Sequence, residues 1–274
     1  MVNNTVLHWR ALSAGAVGPP QTVDAPTLRM PARETEAIIL KTFPLGEADR
    51  LVSFLGRTSG RMRGVAGGAR RLKNRYGSTL ELLSHVQIWY VERETRDLVR
   101  IQQTELLESF HKVQSDYRLS TGLALVSEIA ELVLPEHETN EAMFRLILLT
   151  AREVERRGSS ALPLSYFTFW TVRLAGWLPR FDACAACGKP FEKGAAYQST
   201  HFQGLLDEQH RRGGMKLMTY ETRALAEIFA KQRLDVLDDR LATLPGVKEL
   251  REANLGWIEH HAERKLSTRA LLET

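Results

Sequence analysis

The sequence predicts an α+β fold, in which an N-terminal β-barrel is followed by an α-helical body carrying a small cysteine-bearing insert. Three observations predict it. Short β-prone runs punctuated by turn signals occupy residues 30–110 of the 274-residue chain. Beyond residue 110 the apolar period lengthens to that of helices. The only two cysteines sit three positions apart, interrupting the helical pattern. With 43% hydrophobic and 26% charged residues, the composition is that of a globular protein. The longest apolar stretches, such as 146–151, are far too short to span a bilayer, and two cysteines exclude a disulfide framework.

Residues 1–29 stand apart. Gly15, Gly18, Pro19, Pro20 and Pro26 break any helix, and no apolar core follows a basic start as in a secretory signal. The segment reads as a disordered leader. Its rival, a weak targeting peptide, has only Arg10 and Arg29 to support it.

The barrel follows in order. Ala37–Leu40 is an apolar β-prone run that ends near Pro44 and Gly46, and Arg50–Leu55 alternates until Gly56. Thr58-Ser59-Gly60 is a turn, after which Arg61–Ala66 resumes the strand pattern. Val86–Val91 and Leu98–Ile101 form a further pair across the charged segment Glu92–Asp97. Five strands in about 75 residues fit a small closed barrel, either an OB-fold or an SH3-like barrel.

Charge placement carries the functional signal. Eight basic side chains (Arg50, Arg57, Arg61, Arg63, Arg70, Arg71, Lys73 and Arg75) fall between residues 50 and 80, where no Asp or Glu occurs. Such a cluster repels itself unless a polyanion meets it, and Tyr76 within it offers a ring for base stacking. The bland alternative is a solvated basic loop. Gly64–Arg70 is glycine-rich but lacks the Gly-Lys-Ser/Thr ending of a phosphate-binding loop.

The helical body comes next. Leu119, Leu123, Val126, Ile129 and Val133 share one helical face, closed by Pro135. Met143, Phe144, Ile147, Leu148, Ala151 and Val154 mark a second helix, after Asn140 and before Gly158. A third spans about 163–175, and its aromatics Tyr166, Phe167, Phe169 and Trp170 read as core rather than as a base platform. Two more helices follow residue 219, one around Leu225–Phe229 and one over about 247–265. The helical body is therefore expected over 111–180 and 211–274, with the insert over 181–210.

Cys184-Ala185-Ala186-Cys187-Gly188 is a knuckle-like turn that brings two thiolates to one metal. Twenty residues on, Asp207 and His210 sit where a second Cys-x-x-Cys would fall, and both are accepted zinc ligands. The expected site is Cys184, Cys187, Asp207 and His210, with His201 as a competing ligand and structural zinc as the metal. A fold persisting on packing alone, its metal lost, is the alternative.

These residues together resemble a known family, the bacterial recombination mediator RecO. The resemblance rests on Glu34–Thr42, Gly46–Val52, Gly67–Gly77, Thr104–Phe110 and Arg264–Ser267, in the family's order over about residues 33–270. It implies an N-terminal OB-fold, a helical domain and a zinc-finger-like insert. It also implies a non-enzymatic, cytoplasmic and nucleoid-associated protein that binds single- and double-stranded DNA and anneals complementary strands. With RecR, such a protein helps replace single-strand-binding protein by RecA. Many relatives carry four cysteines in the insert, and Asp207 and His210 depart from that pattern. Two other readings stay open: a protein-interaction scaffold with secondary DNA contact, and a metal-dependent hydrolase using Asp207, His210 and His201. A closed four-ligand site leaves no position for a reactive water, which disfavours the hydrolase.

Overall fold

The computed structural model describes residues 32–93, 96–199 and 202–273. The leader expected at 1–29 lies outside them. From residue 31 onward the chain forms one compact unit, and among the described residues no helix is long and apolar enough to cross a membrane.

Five strands close into a barrel: β1 (Arg33–Leu45), β2 (Asp49–Gly56), β3 (Gly60–Ala66), β4 (His85–Arg93) and β5 (Arg96–Glu108), in the order β1-β2-β3-β5-β4. All neighbours are antiparallel except β3 and β5, which run parallel through Gly64–Val99 to Ala66–Ile101. Strand β1 bonds to β4 with its first half and to β2 along most of its length, and its register slips between Ile39 and Lys41. A bulge of this kind bends a long strand enough to close a small barrel. The order and the parallel closure are those of an OB-fold rather than an SH3-like barrel.

The apolar run in β1 follows from burial on both faces. Ala37 and Ile39 point into the barrel with Val52, Phe54, Met62, Ile88 and Tyr90. Ile38 and Leu40 point outward, and with Leu55 of β2 they join the core of the helical body. Each of these three contributes about 1.5–3 kcal/mol by leaving water. Alternation fails at this position because there is no solvent face.

The helical body consists of α1 (His111–Gln114), α2 (Tyr117–Val133), α3 (Glu141–Arg157), α4 (Ala161–Leu174), α5 (Tyr220–Lys231) and α6 (Pro245–His261). Local chemistry sets the ends. Asp116 caps α2 by accepting from the N–H groups of Arg118 (2.8 Å) and Leu119 (3.1 Å), and Asn140 caps α3 through Met143 N–H (2.9 Å). Gly158 ends α3 in the left-handed region at φ 59°. The aromatics of α4 are core: Phe229 lies edge-on to Tyr166 (5.3 Å) and Phe169 (5.9 Å). Short 3-10 turns at Leu234–Val236, Asp239–Thr243 and Arg269–Glu273 complete the body.

Strands β6 (Ala196–Ser199), β7 (Phe202–Leu206) and β8 (Lys216–Met218) form the antiparallel sheet of the insert, in the order β7-β6-β8. Its third strand lies beyond residue 210, where the helical body was expected to resume. Buried Arg223 of α5 pins the insert, donating to the carbonyls of Gly194 (2.5 Å), Glu192 and Phe181 (both 3.4 Å).

Candidate nucleic-acid interface and metal centre

The basic segment lacks acids in sequence but not in space. Arg57 pairs with Glu36 (3.1 Å) and with Glu141 of α3 (2.9 Å). These hydrogen bonds, Glu141 first, hold its guanidinium above its ordinary value. Arg61 is mostly buried and donates from Nε to Leu134 O (2.8 Å), while its Nη1 lies 3.2 Å from Glu136. Arg63 meets the same Glu136 at 2.9 Å. Their acids come from α2 (Glu131), the α2–α3 link (Glu136) and the start of α3 (Glu141), with Glu36 of β1 adding a second partner for Arg57. Gly60 makes this approach close: at φ +74°, a Cβ there would lie 2.4 Å from the backbone oxygen of Glu138. Arg57 and Arg61 therefore tie the barrel to the body; Arg61, mostly buried, corrects the expectation that it is open to DNA, while Arg57 is paired but remains part-exposed.

Tyr76 requires a second correction. It is buried in the barrel core, and its hydroxyl donates to Ile101 O (3.0 Å), so its ring offers no face to a base. Residues 67–84 form no helix, and Tyr76, Ala69 and Leu80 plug the barrel in its place.

The other five cations are exposed: Arg50, Arg70, Arg71, Lys73 and Arg75. Arg50 donates to Thr42 Oγ1 (3.2 Å), Arg70 to Gly46 O (2.6 Å) and Arg75 to Tyr76 Oη (2.9 Å). None of the five has an ion pair among the described residues. The bond from Arg70 and the one from Gly68 N–H to Asp49 (2.8 Å) join loop 67–77 to the β1–β2 turn, so these charges gather near one end of the barrel. Sequence reasoning missed Arg100, exposed on β5 beside Val65 and two positions along from Arg63 on the outer surface. Its signal was alternation, since Arg100 stands between buried Val99 and Ile101.

In the insert, the four expected ligands converge. Donor atoms of Cys184, Cys187, Asp207 and His210 all lie within 4.8 Å of one another. Cys184 Sγ is 3.9 Å from His210 Nδ1, and Cys187 Sγ is 3.4 Å from Asp207 Oδ2. Tetrahedral zinc with bonds of about 2.0–2.3 Å separates its ligands by roughly 3.3–3.8 Å, so the set fits with small adjustments. The largest concerns Asp207 Oδ1, 2.7 Å from His210 Nδ1, while the other oxygen already faces Cys187. The backbone of the knuckle favours the thiolate of Cys184, whereas at Cys187 the Lys189 N–H is outweighed by Cys184 and Asp207, which push that thiol up. Gly188 takes φ +73° beyond the second cysteine, and Cys184 N–H donates to Lys189 O (2.9 Å). Burial pushes the Cys184 thiol up, but the N–H groups of Asp207, Cys187 and Ala186 outweigh it and lower it. Burial likewise raises the Asp207 carboxyl, while His210 and Cys187 hold it down to about 2. The competing ligand His201 lies outside the described residues.

Comparison with known proteins agrees with this architecture. The family model for the recombination protein O N terminal matches residues 30–110, and that for the recombination protein O C terminal matches 114–270. A DNA repair protein RecO of Koribacter versatilis is 33% identical over 241 residues, 88% of this chain and 98% of that protein. The protein of the same name from Nocardioides sp. is 34% identical over 243 residues, 87% of this chain and 98% of its own. That of Bifidobacterium adolescentis is 28% identical over 249 residues, 89% of this chain and all of its own. A barrel of OB order, a helical body, a metal-competent insert and two adjoining family matches agree: the chain belongs to the recombination protein O family, with a role in DNA repair and recombination.

Proposed function

We propose that the protein is a non-enzymatic recombination mediator that binds single- and double-stranded DNA and anneals complementary strands. With RecR, it would help load RecA onto DNA coated by single-strand-binding protein, acting on the nucleoid in the cytoplasm. The observation that carries this reading is the set of five exposed cations, Arg50, Arg70, Arg71, Lys73 and Arg75, which have no carboxylate partner among the described residues and sit at one end of a closed barrel. Cations so placed neutralise phosphates and release counterions, which lets two like-charged strands approach and pair. Arg100 extends the surface along β5, and Arg63, half-exposed though paired with Glu136, adjoins it on β3. A structural zinc held by Cys184, Cys187, Asp207 and His210 would fix the insert and take no part in chemistry.

A second reading, a protein-interaction scaffold, draws on a groove of about 490 Å³ between the insert and α5, where Phe181, Pro190, Tyr220 and Ile228 meet Arg223 and Lys231. Asp182, Glu192 and Glu227 also line it, which opposes an acidic partner segment and leaves this reading secondary. The deciding experiment is strand annealing on DNA coated with single-strand-binding protein, with and without RecR. Faster annealing than the uncatalysed rate is expected, and no acceleration in either condition would overturn the mediator reading.

A further inference from the structure

We propose that Leu72 is a nucleobase wedge, an apolar side chain presented on a pinned basic loop so that it inserts between neighbouring bases. The inference rests on the DNA-binding reading and adds to it a contact with bases rather than phosphates. A single exposed leucine is ordinary on a protein surface. Leu72 differs in three respects.

The first is degree. Leu72 is fully exposed, at 101% of its reference surface, and among the described residues the next large apolar side chain is Val236 at 69%. The second is support. On one side of the tip, Gly68 N–H donates to Asp49, and Arg70 donates to the carbonyls of Ala48 (2.9 Å) and Gly46 (2.6 Å). On the other, Asn74 Oδ1 accepts from the N–H groups of Tyr76 and Gly77 (both 2.9 Å), and the Tyr76 ring is anchored inside the barrel. Arg71-Leu72-Lys73 is therefore held out by bonds at both ends. The third is company, because the flanking Arg71 and Lys73 are exposed and without an ion pair among the described residues.

A ligand that satisfies two cations with an apolar group between them must alternate anionic and apolar surface at side-chain spacing. Nucleic acid does so, with phosphates along the strand and base faces between them. Apolar wedges enter base steps at the cost of unstacking, which is least in a single strand. A wedge of this kind holds bases apart and open to pairing, which is what annealing requires.

The test uses the full chain and its Leu72→Ser and Leu72→Met variants, whose thermal stability should match the parent because Leu72 touches no core. Binding is read on oligonucleotides carrying one 2-aminopurine, which brightens when unstacked. The parent should brighten the probe, Leu72→Ser should lose most of that rise and bind about tenfold more weakly, and Leu72→Met should keep both. The salt dependence of all three should coincide, since no charge changes. A Leu72→Ser protein equal to the parent in brightening and affinity would overturn the wedge, as would a changed salt slope. A loss confined to binding of phosphatidylglycerol vesicles would also overturn it, assigning Leu72 to a lipid surface. If the parent itself shows no salt-dependent DNA binding, the functional reading falls and takes the wedge with it.

Discussion

The eight cations of the basic segment are alike in sequence and divided in space, and salt dependence should read that division directly. Among the described residues Arg71 and Lys73 have no ion pair, whereas Arg57 is held by Glu36 and Glu141. On single-stranded DNA each neutralised phosphate contributes about −0.7 to the slope of log K against log salt. If Arg50, Arg70, Arg71, Lys73 and Arg75 each meet one phosphate, the parent slope is about −3.5. Raising salt from about 50 to 200 mM then weakens binding about 100-fold. Arg71→Ala combined with Lys73→Ala should flatten the slope to about −2, leaving a loss of about 20-fold over the same range. Arg57→Ala should leave the slope at the parent value and instead lower the melting temperature. Fluorescence anisotropy of a labelled oligonucleotide across this salt range measures all three. A slope unchanged in the double variant, or reduced equally by Arg57→Ala, would refute the assignment.

Three further outcomes follow from other contacts. Glu128 of α2 accepts from the N–H and hydroxyl groups of both Ser267 and Thr268, tying the C-terminal turn to the body. Glu128→Ala should cost about 2 kcal/mol, discounted for partial exposure, and lower the melting temperature by about 4–8 °C at neutral pH. Burial raises that carboxyl, but the four bonds more than offset it and depress it. The gap between parent and variant should therefore be full above the ordinary carboxylate value and shrink as pH falls below it; a gap that widens in acid contradicts the contact. Gly60→Ala should destabilise by at least about 2–3 kcal/mol in a denaturant melt, since it combines a positive φ with a clash against Glu138, and a neutral substitution would mean the approach is looser than described. Protein purified without added metal should contain about one zinc per chain by elemental analysis, and Cys184→Ser should abolish it; near-zero zinc in the parent would sink the site.

What was legible in the sequence is what local pattern controls. Asn140 and Gly158 bracket α3 because capping and left-handed termination are properties of single residues. The convergence of Cys184, Cys187, Asp207 and His210 was legible because a knuckle and its partner turn have fixed spacing. The fate of Arg57 and Arg61 was not, since, Glu36 of β1 apart, the acids that hold them (Glu131, Glu136 and Glu141) lie about 70–84 positions away and meet them only when α2, the α2–α3 link and α3 pack on the barrel. Tyr76 was misread for a related reason. An aromatic inside a run of arginines suggests stacking, but the barrel between β3 and β4 lacks a covering helix, and that ring closes it. The third strand of the insert escaped notice because Lys216–Met218 is too short to show a period.

The two-faced burial of β1 has a consequence for how the chain comes to be folded. By the time residue 108 is made, all five barrel strands exist, yet Ile38, Leu40 and Leu55 still lack the helix that covers them. At roughly 5–20 residues per second of synthesis, α2 is completed about 1–5 s later. For that interval the nascent barrel carries a sticky outer wall, and any chaperone that attends this protein on the ribosome has its target there.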